Sequence, residues 1–117
     1  MAGKTGNPID ALNGKKGVMG SAIVTRDGMV LVGDLPSSIH NETFAIMCAT
    51  MFGAAHTVNS DLDIGSPDMI VVDAKRGSLV IANAGKRELL AVVLEEGKTV
   101  TEFVDIIQKT IDDFKST

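Results

Sequence analysis

Two short apolar runs near the start of the chain are separated by a polar turn. The runs cover residues 18–26 and 29–34, and Asp27-Gly28 lies between them. Asp-Gly between apolar segments is typical of a tight β-hairpin, whose primed turn needs positive φ at both central residues. Both faces of the hairpin are apolar, so we expect both to be covered. The predicted opposite pairs are Thr25 with Val30, Val24 with Leu31 and Ile23 with Val32.

A long helix is predicted next, beginning at Ser38 or His40 and ending near Leu62. It is apolar on two sides, and such a helix is normally buried on both. A chain of 117 residues offers it one sheet, so the second side predicts packing against a second copy. The alternative is a helix that is merely rich in Ala and Met and lies beneath the loops of its own chain. The side predicted to face the sheet consists of Phe44, Met47, Met51, Ala54 or Ala55, Val58 and Leu62. The opposite side consists of Ala45, Ile46, Cys48, Ala49, Phe52 and Gly53.

The remaining pattern predicts three strands between two flanking helices. A short first helix spans residues 7–14, with Asn7 as its N-cap and Pro8 at its first position. The strands cover residues 68–74, 79–84 and 88–95. Thr99 and Glu102 form the capping box of a last helix. Its apolar stripe consists of Val100, Phe103, Ile107, Ile111 and Phe114.

This order of elements predicts an α+β fold, a five-stranded antiparallel sheet with the long helix on one face and the terminal helices on the other. We expect residues 1–6 to be a flexible N-terminus and residues 7–117 to form a single domain. Consecutive antiparallel strands and the absence of internal repeats support one layered unit.

Composition narrows the possible partners. The net charge is −4 and aromatic residues make up 3% of the chain, so neither a basic stripe nor a stacking platform for nucleic acid is present. The single cysteine, Cys48, lies in an apolar segment, which is typical of a buried thiol in a reducing compartment. With neither a signal segment nor a run of about 18 apolar residues, we expect a cytoplasmic protein without a membrane span.

Motifs that carry chemistry are incomplete in this sequence. Residues 3–6, GKTG, lack the upstream glycine of a phosphate-binding loop, and the carboxylates of residues 61–68 do not have EF-hand spacing. His40 and His56 have no companion ligand at metal-binding spacing. We therefore predict a protein that is not an enzyme and holds neither metal nor cofactor. The hydroxyls Ser21, Thr25 and Ser78 likewise have no visible histidine–carboxylate set.

The segment from residue 17 to the middle of the long helix resembles the opening of the roadblock/dynein light chain domain family. The likeness extends over roughly residues 18–114, and its strength is the ordered set, because no single motif is diagnostic. The sequence departs from the family pattern in its short first helix, and it has His40 and Asn41 where an acidic cap and a proline are usual. The matching residues are Gly17-Val18, Arg26-Asp27-Gly28, Asp34-Leu35-Pro36 and Glu42.

The resemblance implies a dimer in which the long helices pack together and the middle edge strand pairs with its copy. It also implies a non-catalytic adaptor that binds a small Ras-like GTPase or a related motor complex, with itself or another roadblock protein as mate. On this basis the predicted dimer interface consists of Ala45, Ile46, Cys48, Ala49, Phe52, Gly53, His56, Asp68, Ile70, Val71, Val72 and Asp73.

Two further hypotheses stay open at the level of sequence. A small-molecule sensor is possible, because related profilin-like and PAS-like sheets hold ligands against one face. Catalytic help to a GTPase would need an arginine finger. The loop arginines Arg26, Arg76 and Arg87 are the candidates, and each is more simply interpreted as a solvated surface charge.

Overall fold

The computed structural model describes residues 7–116. The helices are α1 (Asp10–Asn13), α2 (Asn41–Asp61) and α3 (Val104–Lys115), and a 3-10 turn at Val100–Phe103 leads into α3. The strands are β1 (Val18–Thr25), β2 (Val30–Asp34), β3 (Met69–Ala74), β4 (Gly77–Asn83) and β5 (Glu88–Glu95).

The five strands form one antiparallel sheet in the order β2-β1-β5-β4-β3. Helix α2 covers one face of the sheet, and the core there includes Phe52, Ile81 and Leu89. Helices α1 and α3 cover the other face, where Leu12, Phe103 and Ile107 are buried. The predicted fold class is therefore confirmed.

The register of the first hairpin differs from the prediction. Ile23 lies opposite Val32 as expected, but Val24 lies opposite Val30, with a shift of register between them. Gly28 has a φ of 96°, whereas Asp27 is not among the residues with positive φ. The turn is therefore not the primed type that the sequence suggested, and its longer loop moves the register. The predicted pairs of Thr25 with Val30 and of Val24 with Leu31 are wrong.

The side chains of β1 are buried on both faces of the sheet, as predicted, but those of β2 are not. Residues Ser21 to Val24 of β1 are buried, because β1 lies inside the sheet between β2 and β5. Strand β2 is an edge strand, and Leu31 is 51% exposed. Apolar residues alone therefore overstate how deeply the second strand is buried.

The side of α2 that faces the sheet is also different. Ala45, Cys48 and Phe52 are the buried residues of the helix, while Met47 and Val58 are both 51% exposed. Small side chains at positions 45 and 48 let the helix backbone approach the sheet closely. Because both sides are apolar, helical spacing alone did not show which one the sheet covers.

The ends of the domain follow the sequence more closely. The capping box between Thr99 and Glu102 is present, although the first turn after it is 3-10 rather than α-helical. Helix α1 is shorter than predicted and begins at Asp10. Asn7 supplies no side-chain cap and instead donates its backbone N–H to Oδ2 of Asp10 at 3.0 Å.

Two further predictions concern the N-terminal residues and the absence of a membrane span. The predicted flexible N-terminus, residues 1–6, lies outside the described residues. Within residues 7–116, no helix is both long enough and apolar enough to cross a membrane.

The central packing of α2 generates a stability prediction. Phe52 is 2% exposed, so Phe52→Ala leaves a cavity between α2 and the sheet. We expect the free energy of unfolding in urea to fall by about 3–5 kcal/mol. Val104→Ala, on the exposed side of α3, is the control and should change it by less than about 0.5 kcal/mol. Equal losses for the two variants would contradict this packing.

Candidate functional site

Strand β3 has a free edge. It pairs with β4 through six consecutive residue pairs, and no other described strand lies on its outer side. Edge strands are usually protected by a lysine, a proline or a bulge. The apolar run Met69, Ile70, Val71, Val72 contains none of these, and its register with β4 is unbroken.

The opposite edge of the sheet is different. Strand β2 pairs with β1 in an interrupted register, which is the signature of a bulge. A bulge twists an edge strand and hinders the addition of another strand. Of the two edges, β3 is therefore the one suited to pair with a further strand.

Side chains of β3 alternate between the two faces of the sheet. Ile70 and Val72 lie opposite Ile81 and Leu79, so they share the face that α2 covers. Val72 is nevertheless 40% exposed, because α2 does not extend over the outer part of the sheet. An apolar strip of sheet is thus left uncovered beside the free edge.

A groove of about 350 Å³ lies between the first half of α2 and Leu79 of β4, the strand that pairs with β3. Its polar contributions come from Ser38, His40 and Thr43 at the start of α2. This groove is not predictable from the sequence pattern, because alternation along β4 does not show which of its residues a helix leaves uncovered. The apolar lining residues are Ile39, Phe44, Met47, Cys48, Met51 and Leu79.

Helix α2 presents different flanks to the two edges of the sheet. Met47 and Met51 line the groove with Leu79 of β4, and at 100° per residue Val58 lies on the same flank. Ile46 lies on the other flank, where a side chain at Gly28 would meet its Cγ1 at 3.0 Å. We call the first flank, the groove and the outer strip of the sheet together the β3-side surface.

The predicted interface residues of the helix are therefore divided. Ala45, Cys48 and Phe52 are buried against the sheet of their own chain, so the predicted exposure of this side of α2 is wrong, although Cys48 also lines the base of the groove. Their helical spacing is equally compatible with a sheet-facing side, which is where they lie. Ile46 lies beside Gly28 of the first hairpin turn, Gly53 is exposed, and His56 lies beside Ser66 in the loop before β3. The place of these residues and of Ala49 in an interface stays a prediction.

The predicted interface residues of the edge strand all lie on or beside β3. Asp68, Val71, Val72 and Asp73 are exposed and Ile70 is half-buried. The Oδ1 atom of Asp73 accepts a hydrogen bond from the Ser78 hydroxyl at 2.7 Å. Their accessibility is compatible with the predicted contact.

The Cys48 thiol behaves as an apolar group. It lies at the base of the groove, and burial raises its pKa to about 11. At neutral pH the thiol is therefore protonated, and it is neither a nucleophile nor a metal ligand in this state. This agrees with the prediction of a buried hydrophobe.

Arg26, one of the candidate arginine fingers, is bound within its own chain. Arg26 donates from Nη2 to Oδ1 of Asn83 at 2.8 Å and to the Gly85 carbonyl at 2.9 Å, and its guanidinium lies 4.7 Å from the centroid of the Phe52 ring. This binding makes Arg26 a poor arginine finger, whereas Arg76 and Arg87 are exposed.

The histidines and carboxylates do not form a metal centre in the described part of the chain. Nδ1 of His56 lies 3.1 Å from the Ser66 hydroxyl. No group of three or more His, Cys, Asp or Glu residues is placed to hold a metal ion within residues 7–116.

The fold and its uncovered edge define a class of small α+β interaction domains, and comparison with known proteins identifies the family. The model of the Roadblock/LC7 domain matches residues 5–94. The chain belongs to the Roadblock/LC7 family.

Similar proteins agree with this assignment. The uncharacterised protein MJ0310 of Methanocaldococcus jannaschii is 29% identical over 102 residues, which are 87% of this chain and 88% of that protein. Myxococcus xanthus MglB superposes with a TM-score of 0.87 at 15% identity, over 93% of this chain and 83% of MglB. A structure described as MglB with tetrameric arrangement gives 0.78 at 18% identity, over 89% and 79%.

The β3-side surface generates a direct prediction. Val72→Lys places an ammonium group where a second chain would bury it, at a cost of several kcal/mol. We expect self-association to be lost, so that light scattering gives the 12.3 kDa mass of one chain. Leu31→Lys, on the exposed β2 edge, should leave the mass of the wild type unchanged. A Val72→Lys protein with that same larger mass would contradict the assignment.

Proposed function

We propose that the protein is a non-catalytic homodimeric adaptor that binds a small Ras-like GTPase or a related switch complex. In the dimer, two copies join their β3 edges and cover each other's β3-side surface. The observation that carries this proposal is the coincidence of a free, unprotected edge strand with an apolar groove beside it.

Strand pairing and groove filling support each other in such a dimer. Joining the two edges satisfies the outer backbone N–H and C=O groups of β3. The same movement brings α2 of one copy toward the uncovered strip of the other, where Met47 and Val72 are half-exposed. Stable interfaces usually bury about 1,200–2,000 Å², and an edge, a groove and a helix flank together offer a surface of that kind.

Family membership supports the adaptor role. The resemblance found in the sequence implies association with small Ras-like GTPases, and MglB proteins share this fold. The tetrameric arrangement described for one MglB structure supports self-association as a property of the fold. Cytoplasmic location, where such GTPases act, is part of the same proposal.

The engaged state of Arg26 supports regulation without a catalytic role for this residue. A GTPase-activating arginine must reach the nucleotide of its partner. Arg26 is held by Asn83 and Gly85 and is therefore not free to reach a partner's nucleotide, which leaves the exposed Arg76 and Arg87 as the other candidates.

The groove also suits a small apolar ligand in its size, since ligand sites span about 300–1,000 Å³. A specific ligand site contains a few convergent polar groups that fix orientation. Here the polar lining residues are Ser38, His40 and Thr43, against six apolar ones. A covering protein surface fits this apolar lining better, and the adaptor is the function we propose.

Binding to nucleotide-loaded GTPases from the same organism tests the adaptor role. We expect one nucleotide state to bind at least about fivefold more tightly than the other, as measured by calorimetry. A strong rise of the thermal midpoint with one metabolite, and no GTPase binding, would support the sensor instead.

The Val72→Lys and Leu31→Lys variants provide the matched controls. A platform formed by two copies predicts that Val72→Lys loses GTPase binding together with dimerisation, whereas Leu31→Lys retains both. GTPase binding of unchanged affinity by a monomeric Val72→Lys protein would show that the dimer is not the platform.

A further inference from the structure

Opposite charges flank the free edge strand. Asp68 immediately precedes β3, and the Lys75-Arg76 turn immediately follows it. Asp61 ends α2 and Asp63 lies in the loop that leads to β3, so two more carboxylates precede this end of the strand in the chain. All five residues are exposed, and within residues 7–116 none of them takes part in an ion pair.

The distribution of charge around these residues is uneven. Between Arg26 and Lys75 the sequence contains no lysine or arginine. That segment includes β2, α2 and β3. Its seven carboxylates are those of Asp27, Asp34, Glu42, Asp61, Asp63, Asp68 and Asp73. The Lys75-Arg76 turn is therefore the cationic feature of β3, at the end opposite to Asp68.

The carboxylates at the end of α2 do not stabilise that helix. The C-terminus of a helix carries a partial negative charge, which basic residues normally offset. Helix α2 has no basic residue in its last turn and ends at Asp61. Carboxylates at this end repel the helix dipole, and a cationic partner would relieve that repulsion.

Antiparallel pairing of two β3 strands brings the opposite charges together. A two-fold axis perpendicular to the joined sheet keeps each face on the same side, so residues of the same face must lie opposite each other. The axis therefore passes midway between one residue of β3 and the same residue of the other copy. With Val72 opposite its own copy, Ile70 faces Ala74, and the Lys75-Arg76 turn lies beside Asp68 of the other chain.

We propose that a second copy of this chain pairs with β3 in this register, with each Lys75-Arg76 turn against the acidic end formed by Asp61, Asp63 and Asp68 of the other copy. The charge match selects the chain's own copy over other proteins of the same fold. This inference rests on the proposed dimer and specifies its register and its partner.

Other arrangements bring like charges together. Parallel pairing of two β3 strands would place both acidic ends side by side and both basic turns side by side. Like charges placed opposite each other destabilise a sheet. Another domain with this fold but without the charge pattern would leave the carboxylates of Asp61 and Asp68 without a cationic partner.

Two charge-reversal variants test the match. The basic-end variant carries Lys75→Glu and Arg76→Glu, and the acidic-end variant carries Asp61→Lys and Asp68→Lys. In a homodimer of either variant, like charges meet at both contacts between the turn of residues 75–76 and the acidic end of the other copy; we call these two contacts the junctions. We expect the dissociation constant of each homodimer to rise by about tenfold or more, measured by analytical ultracentrifugation.

An equimolar mixture of the two variants supplies the decisive measurement. In the mixed dimer both junctions again join opposite charges, so its dissociation constant should lie within about threefold of the wild type. Native mass spectrometry should show mainly the mixed species. Recovery in the mixture also demonstrates that each variant is folded.

A matched control separates the charge match from net charge. The control variant carries Lys15→Glu and Lys16→Glu, which change the net charge by the same amount as the basic-end variant. These lysines lie in an exposed turn before β1, and β5 and β4 separate β1 from β3. This control should dimerise like the wild type. At 1 M salt, where the Debye length is about 3 Å, the reversal variants should approach the wild type.

Cross-linking tests the register. Val72→Cys should form a disulfide between copies under mild oxidation, whereas Val71→Cys should not, because its copy lies two positions away. If the wild type dimerises and each reversal variant forms a homodimer with an unchanged dissociation constant, this inference is overturned and the adaptor proposal stays intact. Cross-linking through position 71 alone would have the same consequence. A monomeric wild type would overturn both.

Discussion

The backbone edge of β3 is the constraint on which the rest of this protein depends. Every buried N–H and C=O group needs a hydrogen-bond partner, and an unpaired strand edge presents a row of them. Most edges are made unattractive by charges, prolines or bulges. In this chain β2 has a shifted register, while β3 keeps a regular register and the apolar run of residues 69–72, with Asp73 as the one charged residue within the strand. The functional surface follows from that asymmetry.

The position of α2 is the second part of the design. Ala45 and Cys48 are small enough to bring the helix close to the sheet, and Phe52 fills the space that follows. Larger apolar residues, Met47 and Val58, are left on the flank that faces β3. One helix thus seals its own core and leaves large apolar side chains uncovered on the flank toward β3, because different sides of it carry side chains of different size.

The sequence predicted the architecture well for a physical reason. Strand boundaries, the capping box at Thr99 and the order of elements are set by local features, namely alternation, turn residues and caps. The family assignment followed from an ordered series of such features. These signals do not depend on which side of an element the rest of the chain covers.

Side-specific features were less predictable. A helix that is apolar on both sides has no periodic signal that identifies the buried one, so Met47 was placed toward the sheet and Cys48 away from it. The hairpin register depended on φ at Asp27, which residue type alone does not fix. The groove lined by Leu79 depends on how far α2 extends across the sheet, which is a property of tertiary packing.

Hydrogen exchange measured as a function of protein concentration tests whether the β3 edge pairs with a second copy. Amides of β3 should become protected as concentration rises, while those of β2 should exchange at the same rate throughout. Exchange in β3 that is equally fast at every concentration, or protection that develops in β2 instead, would contradict it.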